Sequence, residues 1–385
     1  MRILCVHQGH ELYGSDRAFV EAVAAMRTAW PQAAIDVVLP RPGPIVAALA
    51  PSAATIIIEP LWAVRRRFLL RLATIGLLRL PVAVWRAWRH CRAADLVYVS
   101  TVVLIDYLIA ARLVRMRALV HVHEIPEGFA RRAFRALLRF AGGAVIFNSR
   151  ASRAAFALPS SQSQHVVYNS IAAPAAARPS GYDGTRPLRL LLIGRINRIK
   201  GQDILIDAIA MLPAELRARL ELRIVGGSFA NERAREEGLR ARAARAGLTP
   251  IIRFEPFMSD PAPLYDWADV VVVPSRRPES LGRVAIEAMA HGRPPLASAI
   301  GGLEEVVEHG VSGWLVPPND APALAQAIGD ILLAPEVWSG FPAAARARFE
   351  AVFDPRAIAC ELTAILAGRL AAGSSARRTT GLAPV

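Results

Sequence analysis

The chain has 385 residues, 54% of them hydrophobic, three cysteines and a formal charge of +14. That length accommodates two domains with cores of their own. The cysteines (Cys5, Cys91, Cys360) are odd in number and far apart, which argues against a disulfide framework or a zinc site and for a reducing compartment.

Arg2 to Val6 reads as a first strand, too short and too soon interrupted for a signal peptide, so a cytoplasmic protein is expected. A turn at Tyr13-Gly14-Ser15-Asp16 leads into a helix, and Ile35–Leu39 and Thr55–Ile58 read as further strands. Alternating strands and helices predict a parallel sheet covered on both faces.

Residues 60–94 interrupt this rhythm with eight arginines, no acidic residue, and Trp62, Trp85 and Trp88 among leucines. Arg71, Arg79 and Pro81 break every apolar window of about 20 residues, so the stretch does not read as a membrane span. It reads as a basic amphipathic segment lying on an anionic membrane surface, against the plainer alternative of two solvated helices. Residues 1–170 hold 21 arginines against 9 acidic residues, and the remainder 25 basic against 23 acidic. The charge excess therefore belongs to the first half, and its partner is expected to be anionic. A nucleic-acid binder would also be basic, but no recognition-helix pattern or aromatic-interleaved basic motif accompanies the charge.

Leu96–Val99, Leu119–Val122, Val145–Phe147 and His165–Tyr168 continue the sheet, with a basic helix around Arg131–Arg139. His121 and His123 are read as alternating across their strand, so that only one faces the ligand crevice. The strand-end position favours His123. Residues 172–187, rich in Ala, Pro and Gly, read as a linker. The second half restarts at Leu188–Ile193 and repeats the alternation through Leu220–Val225, Ile251–Phe254, Asp269–Val273 and Pro295–Ser298. Helices close the chain and are expected to return toward the first domain, one of them a crossover helix over 354–372, and 373–385 reads as a disordered tail. The expected domains are 1–171 and 188–353, both Rossmann-like and doubly wound, facing a central cleft.

Chemistry concentrates in the second half. Glu279 sits on a strand-to-helix turn and Glu287 seven residues further on in a short helix. A helix start offers amides to an anion, and carboxylates accept hydrogen bonds from sugar hydroxyls. Arg195 and Lys200 (the only lysine of the chain) lie on another strand-to-helix turn, beside Gly194 and Gly201. Cations there stabilise a departing diphosphate. Gly14 allows backbone to approach a phosphate. No D-x-D or similar carboxylate pair suggests a divalent metal.

Together these residues resemble the retaining GT-B glycosyltransferases of family 4. The resemblance covers about Leu188 to Pro317, through Gly194-Arg195, Lys200-Gly201, Val225-Gly226, the E-x7-E spacing of Glu279 and Glu287, and Gly301-Gly302. It implies that Arg195 and Lys200 bind the diphosphate, Glu287 the ribose, and that Glu279 lies by the transferred sugar. Gly226 and the backbone near Leu281 and Gly282 would assist, Gly14 would close over the phosphate, and His123 would stand by the reacting centre. No metal and no cofactor are implied; the nucleotide diphosphate-sugar is a substrate. Leu281 stands where the family usually has an aromatic residue, and Tyr13-Gly14 replaces its glycine pair.

The expected function is a hexosyltransferase, with mannose as the first guess for the sugar. The expected acceptor is a glycan or polyprenyl-linked saccharide of cell-surface polysaccharide or lipopolysaccharide, reached from the inner face of the plasma membrane. A sugar-nucleotide epimerase on the same fold is the alternative.

Overall fold

A computed structural model of the chain describes residues 1–64, 77–172, 174, 177, 179–227 and 233–379. Two units emerge, one of Met1–Ser170 with the helix from Pro355, the other of Ile171–Asp354.

The first unit is built on seven parallel strands: β1 (Arg2–His7), β2 (Ala34–Leu39), β3 (Thr55–Ile58), β4 (Leu96–Ser100), β5 (Ala118–Val122), β6 (Ala144–Phe147) and β7 (Gln164–Val166). Their order is β3-β2-β1-β4-β5-β6-β7. The helices between them are α1 (Gly14–Ala29), α2 (Pro44–Leu49), α3 (Leu77–Ala93), α4 (Ile105–Ala111), α5 (Gly128–Ala141) and α6 (Arg150–Phe156). Central strands such as β4 are buried along their whole length, as expected where helices cover both faces of a parallel sheet.

The second unit repeats the plan with six parallel strands: β8 (Leu188–Ile193), β9 (Leu220–Val225), β10 (Ile252–Glu255), β11 (Val270–Val273), β12 (Pro295–Ser298) and β13 (Trp314–Val316). Their order is β10-β9-β8-β11-β12-β13. The helices are α7 (Gln202–Met211), α8 (Ala214–Arg217), α9 (Arg233–Arg245), α10 (Ala262–Trp267), α11 (Arg283–Ala290), α12 (Leu303–Val306), α13 (Ala321–Leu333) and α14 (Phe341–Val352). Leu188, Leu190 and Leu192 of β8 pack with Ile204, Ala208 and Ile209 of α7 and with Ile328 and Leu332 of α13. In both sheets the chain reverses direction after the third strand. This creates a switch point between β1 and β4, and another between β8 and β11, where loops at the carboxyl ends diverge and leave a crevice.

Three expectations need correcting. The last helix, α15, runs Pro355–Thr379, past the Gly373 at which a disordered tail was expected. Ala371 and Ala372 before it favour helix, one glycine costs only about 1 kcal/mol, and Gly373 lies so close to Arg117 that an added Cβ would come within 2.8 Å of the Arg117 Cβ. Residues 380–385 fall outside the described residues. Secondly, only α15 joins the first unit. α14 stays with the second, where Arg346 bonds the Ala290 carbonyl and Arg348 Nε donates to the Val306 carbonyl at 2.7 Å. Thirdly, the stretch 172–187 is partly packed structure. Tyr182 is buried and stacks on Trp338 at 5.7 Å, and Arg186 pairs with Asp269 at 2.6 Å.

Of the basic stretch 60–94, residues 65–76 lie outside the described residues. Residues 77–93 form α3, which buries Ala83, Ala87 and Cys91 at helical spacing and exposes Leu78, Val82 and Trp85. Among the described residues no helix is long and apolar enough to cross a membrane.

Candidate active site

The second sheet's switch point brings the loop after β8 against the loop after β11. Gly201 has φ +69°, and a Cβ there would lie 1.9 Å from the Pro274 carbonyl oxygen. Only glycine permits both that backbone conformation and that approach. The Arg276 amide donates to the Ile199 carbonyl at 2.8 Å, tying the two loops again. Asn197 fixes the first loop from within, its Oδ1 accepting the amides of Ile199 and Lys200 at 2.8 and 3.1 Å.

Across this junction Lys200 Nζ donates to Glu279 Oε1 at 2.7 Å. The Ser275 hydroxyl donates to the same oxygen. Burial by itself would raise the Glu279 carboxyl. The Lys200 charge and hydrogen bond, with the Ser275 hydroxyl, outweigh it and hold the group below the ordinary carboxylate value. Glu279 is therefore an anion at neutral pH, seated beside the chain's single lysine.

Gly282, with φ +93°, is the capping residue just before α11. Leu281 before it is buried. Glu287, within α11, is held at both oxygens: Arg283 Nε donates to Oε1 at 2.8 Å and the Tyr265 hydroxyl to Oε2 at 2.7 Å. Arg195 is exposed at the end of β8, and its carbonyl accepts the buried Gln202 side chain at 3.0 Å. Gly226 follows β9 and lies against the same strand end, where an added Cβ would be 2.0 Å from the Gly194 carbonyl oxygen.

The structure thus joins Lys200 to Glu279 directly. It sets Gly226 beside Gly194-Arg195 and puts Leu281 and Gly282 at the start of the helix carrying Glu287. Sequence reasoning missed Ser275, Tyr265 and Arg283. Ser275 carried a signal, since it lies two residues past the Val270–Val273 strand. Tyr265 carried none, because its partner is 22 residues away on another helix.

Gly14 and His123 belong to the first unit. Gly14 is the first residue of α1. Its approach is set by Asp16, whose carboxylate accepts the Tyr13 amide at 3.2 Å and pairs with His7 Nε2 at 2.8 Å. His7 ends β1, and its Nδ1 is 3.3 Å from the Ser100 carbonyl at the end of β4, so this pair marks the first sheet's switch point. His121 and His123 are not split across the sheet: their rings lie 4.1 Å apart. Residues i and i+2 of a strand point the same way, which corrects the expectation that only one faces the crevice. His121 Nδ1 is 2.6 Å from the Tyr98 hydroxyl, and burial pushes its imidazole down to about 3. Burial, then the nearby His121 and His7, hold His123 far below the usual histidine range. Both rings are neutral at physiological pH.

Residues 187–333 match the family model described as glycosyl transferases group 1. Over nearly the whole chain the structure resembles Anabaena HepE in complex with UDP, with a TM-score of 0.78, 25% identity, and coverage of 95% of this chain and 100% of that one. The chain has the GT-B fold. The same neighbour in complex with UDP and glucose superposes on this GT-B chain with a TM-score of 0.76 at 25% identity, covering 95% of this chain and 99% of that one. In sequence, the D-inositol 3-phosphate glycosyltransferase of Streptomyces scabiei is 41% identical over 166 residues, which is 42% of this chain and 37% of that protein. The chain thus spans well under half the length of the curated relatives it matches. Within the GT-B fold the group 1 match begins just before β8 and ends with α13, so it contains Arg195, Lys200, Glu279 and Glu287.

Proposed function

We propose that the chain is a retaining hexosyltransferase that uses a nucleotide diphosphate-sugar. The observation that carries this reading is the Lys200–Glu279 pair at 2.7 Å across the switch point of the second sheet. An ammonium and a carboxylate held side by side suit a ligand that presents a diphosphate next to a sugar. Arg195 and Lys200 neutralise the diphosphate. Glu279, kept ionised, accepts hydrogen bonds from hydroxyls of the transferred sugar. Glu287 accepts those of the ribose. As the bond from the anomeric carbon to the phosphate oxygen breaks, charge grows on the diphosphate, and fixed cations stabilise that change more than they stabilise the bound donor. The acceptor hydroxyl attacks from the face the phosphate is leaving and passes its proton to the departing phosphate oxygen. The products are nucleoside diphosphate and a glycoside of unchanged configuration. No step in this scheme calls for a metal, since the two cations supply the countercharge.

The acceptor we assign is a saccharide carried on a polyprenyl or other lipid, met at an anionic inner membrane surface. Helix α3 exposes Leu78 at 83% and Trp85 at 52%, and α5 exposes Phe129 at 82%. Arg79, Arg86, Arg89, Arg131, Arg132 and Arg135 lie on the same two helices, with no acidic residue in either. Helix α5 follows β5 at its carboxyl end, the end of the sheet at which the crevice opens. Apolar side chains among arginines suit a headgroup boundary.

Purified protein incubated with a panel of UDP- and GDP-hexoses and lipid-linked saccharides tests the reaction, with product configuration read by NMR. Transfer with retained configuration is expected. Inverted product, or release of epimerised sugar with no acceptor requirement, would overturn the reading. Co-sedimentation with vesicles tests the surface: equal recovery on neutral and anionic lipid removes it.

A further inference from the structure

The two carboxylate oxygens of Glu287 are each held by a side chain from a different element, Arg283 of α11 and Tyr265 of α10. We propose that Tyr265 and Arg283 are positioning residues, which aim Glu287 so that it accepts the two ribose hydroxyls of the nucleotide. The inference rests on the reading of Glu287 as the ribose ligand.

Arg283 Nε and the Tyr265 hydroxyl each take one oxygen, at 2.8 and 2.7 Å. A carboxylate oxygen has about two acceptor positions, so one remains on each, side by side. Two adjacent acceptors match the two adjacent hydroxyl donors of a ribose. Both donors are needed for that geometry. With one of them removed the carboxylate can rotate about its last bond, and the donor must then order it on binding.

Tyr265 is itself well placed to aim another group. It is 1% exposed, and its ring stacks on His291 with centroids 5.1 Å apart and planes 26° apart. His291 Nδ1 lies 3.0 Å from Asp266 Oδ1. Arg293 donates to the carbonyls of Tyr265 and Asp266 at 2.7 and 3.0 Å. His291 and Arg293 immediately follow α11. The helix that carries Glu287 therefore also fixes, through its own C-terminal turn, the tyrosine that aims Glu287. Loosening any member of this closed frame reaches the carboxylate, not the cations at Arg195 and Lys200.

Calorimetric titration with UDP, GDP and their 2′,3′-dideoxy forms tests this, on the natural protein, Glu287→Gln and Tyr265→Phe. The natural protein should bind one of the ribonucleotides about tenfold tighter than its dideoxy form, the scale of lost hydrogen bonds to a charged group. Tyr265→Phe should shrink that ratio several-fold while leaving the dideoxy affinity and the melting temperature where they were. A purely structural tyrosine would instead weaken both nucleotides equally, or lower the melting temperature, and that result overturns the proposal. If the natural protein shows the preference, Glu287→Gln loses it and Tyr265→Phe keeps it, the positioning role alone fails. If the natural protein binds ribo and dideoxy forms equally, or neither nucleotide, the underlying reading of Glu287 fails with it.

Discussion

Lys200 Nζ stands 2.7 Å from Glu279 Oε1, joining two residues 79 positions apart in the chain. The pair spans the one place in the second sheet where neighbouring loops diverge. Lys200, with the Ser275 hydroxyl, holds the Glu279 carboxyl below its ordinary value against the effect of burial.

Removing either partner should cost more in rate than in stability. Lys200→Ala and Glu279→Ala are each expected to lower kcat by on the order of 10²–10³, the scale of losing one preorganised electrostatic group. Lys200→Arg should recover only part of the loss, because a planar fork does not replace a compact ammonium. Steady-state kinetics with parallel melting curves provide the check, and unchanged kcat in both alanine variants would discard the assignment.

The ionisation of Glu279 should be visible as a pH dependence. Its folded-state value lies below its ordinary 4.5. Its contribution is thus fully in place above the ordinary value and fades as pH falls through the depressed one. Ser275→Ala removes one of the groups that lower it, so the acidic limb of the activity profile should move to higher pH. A limb that stays in place, or moves down, contradicts the arrangement.

His121 should make the first unit acid-sensitive. Its folded value is about 3 against an ordinary 6.5. The neutral ring contributes stability above pH 6.5 that is lost as pH falls toward 3, at up to about 1.4 kcal/mol per pH unit. His121→Gln keeps a polar group near the Tyr98 hydroxyl but does not titrate. The variant's melting temperature should therefore fall less steeply across that window, and parallel curves would count against the assignment.

Gly201→Ala should disturb the junction between the two loops. Its φ is +69°, and the new Cβ would meet the Pro274 carbonyl at 1.9 Å. Strain of this kind costs on the order of 1–3 kcal/mol, equivalent to a melting shift of roughly 2–4 °C per kcal/mol in a domain of this size. Gly238→Ala is the control, because nothing lies within 4 Å of its added Cβ. Equal melting points for the two variants would show that the approach is not tight.

Much of this arrangement was readable in advance, for identifiable reasons. Four consecutive valines can only be a strand covered on both faces, and β11 is that strand. The turn after it had to carry Glu279, and the apolar spacing after Gly282 had to be a helix carrying Glu287. Helix α9 was missed because Arg233–Arg245 is polar nearly all round and buries only Leu239 and Ala243, so it lacks the apolar stripe that marks a surface helix. The end of α15 was misplaced because the terminal residues were read as an unanchored tail, whereas Gly373 packs closely against Arg117. His121 and His123 were misassigned by a slip in strand periodicity, which puts both on one side.

By itself the sequence determined two successive α/β halves, a loop with the lone lysine and a turn-and-helix with two glutamates, because hydrophobic period and glycine placement act locally. Only the tertiary structure decided that β8 and β11 are neighbours, that Lys200 meets Glu279, and that Tyr265 and Arg283 share the two oxygens of Glu287. Strand order is set by how the crossovers pack around a common core, and side chains far apart in the chain can meet only once that order exists.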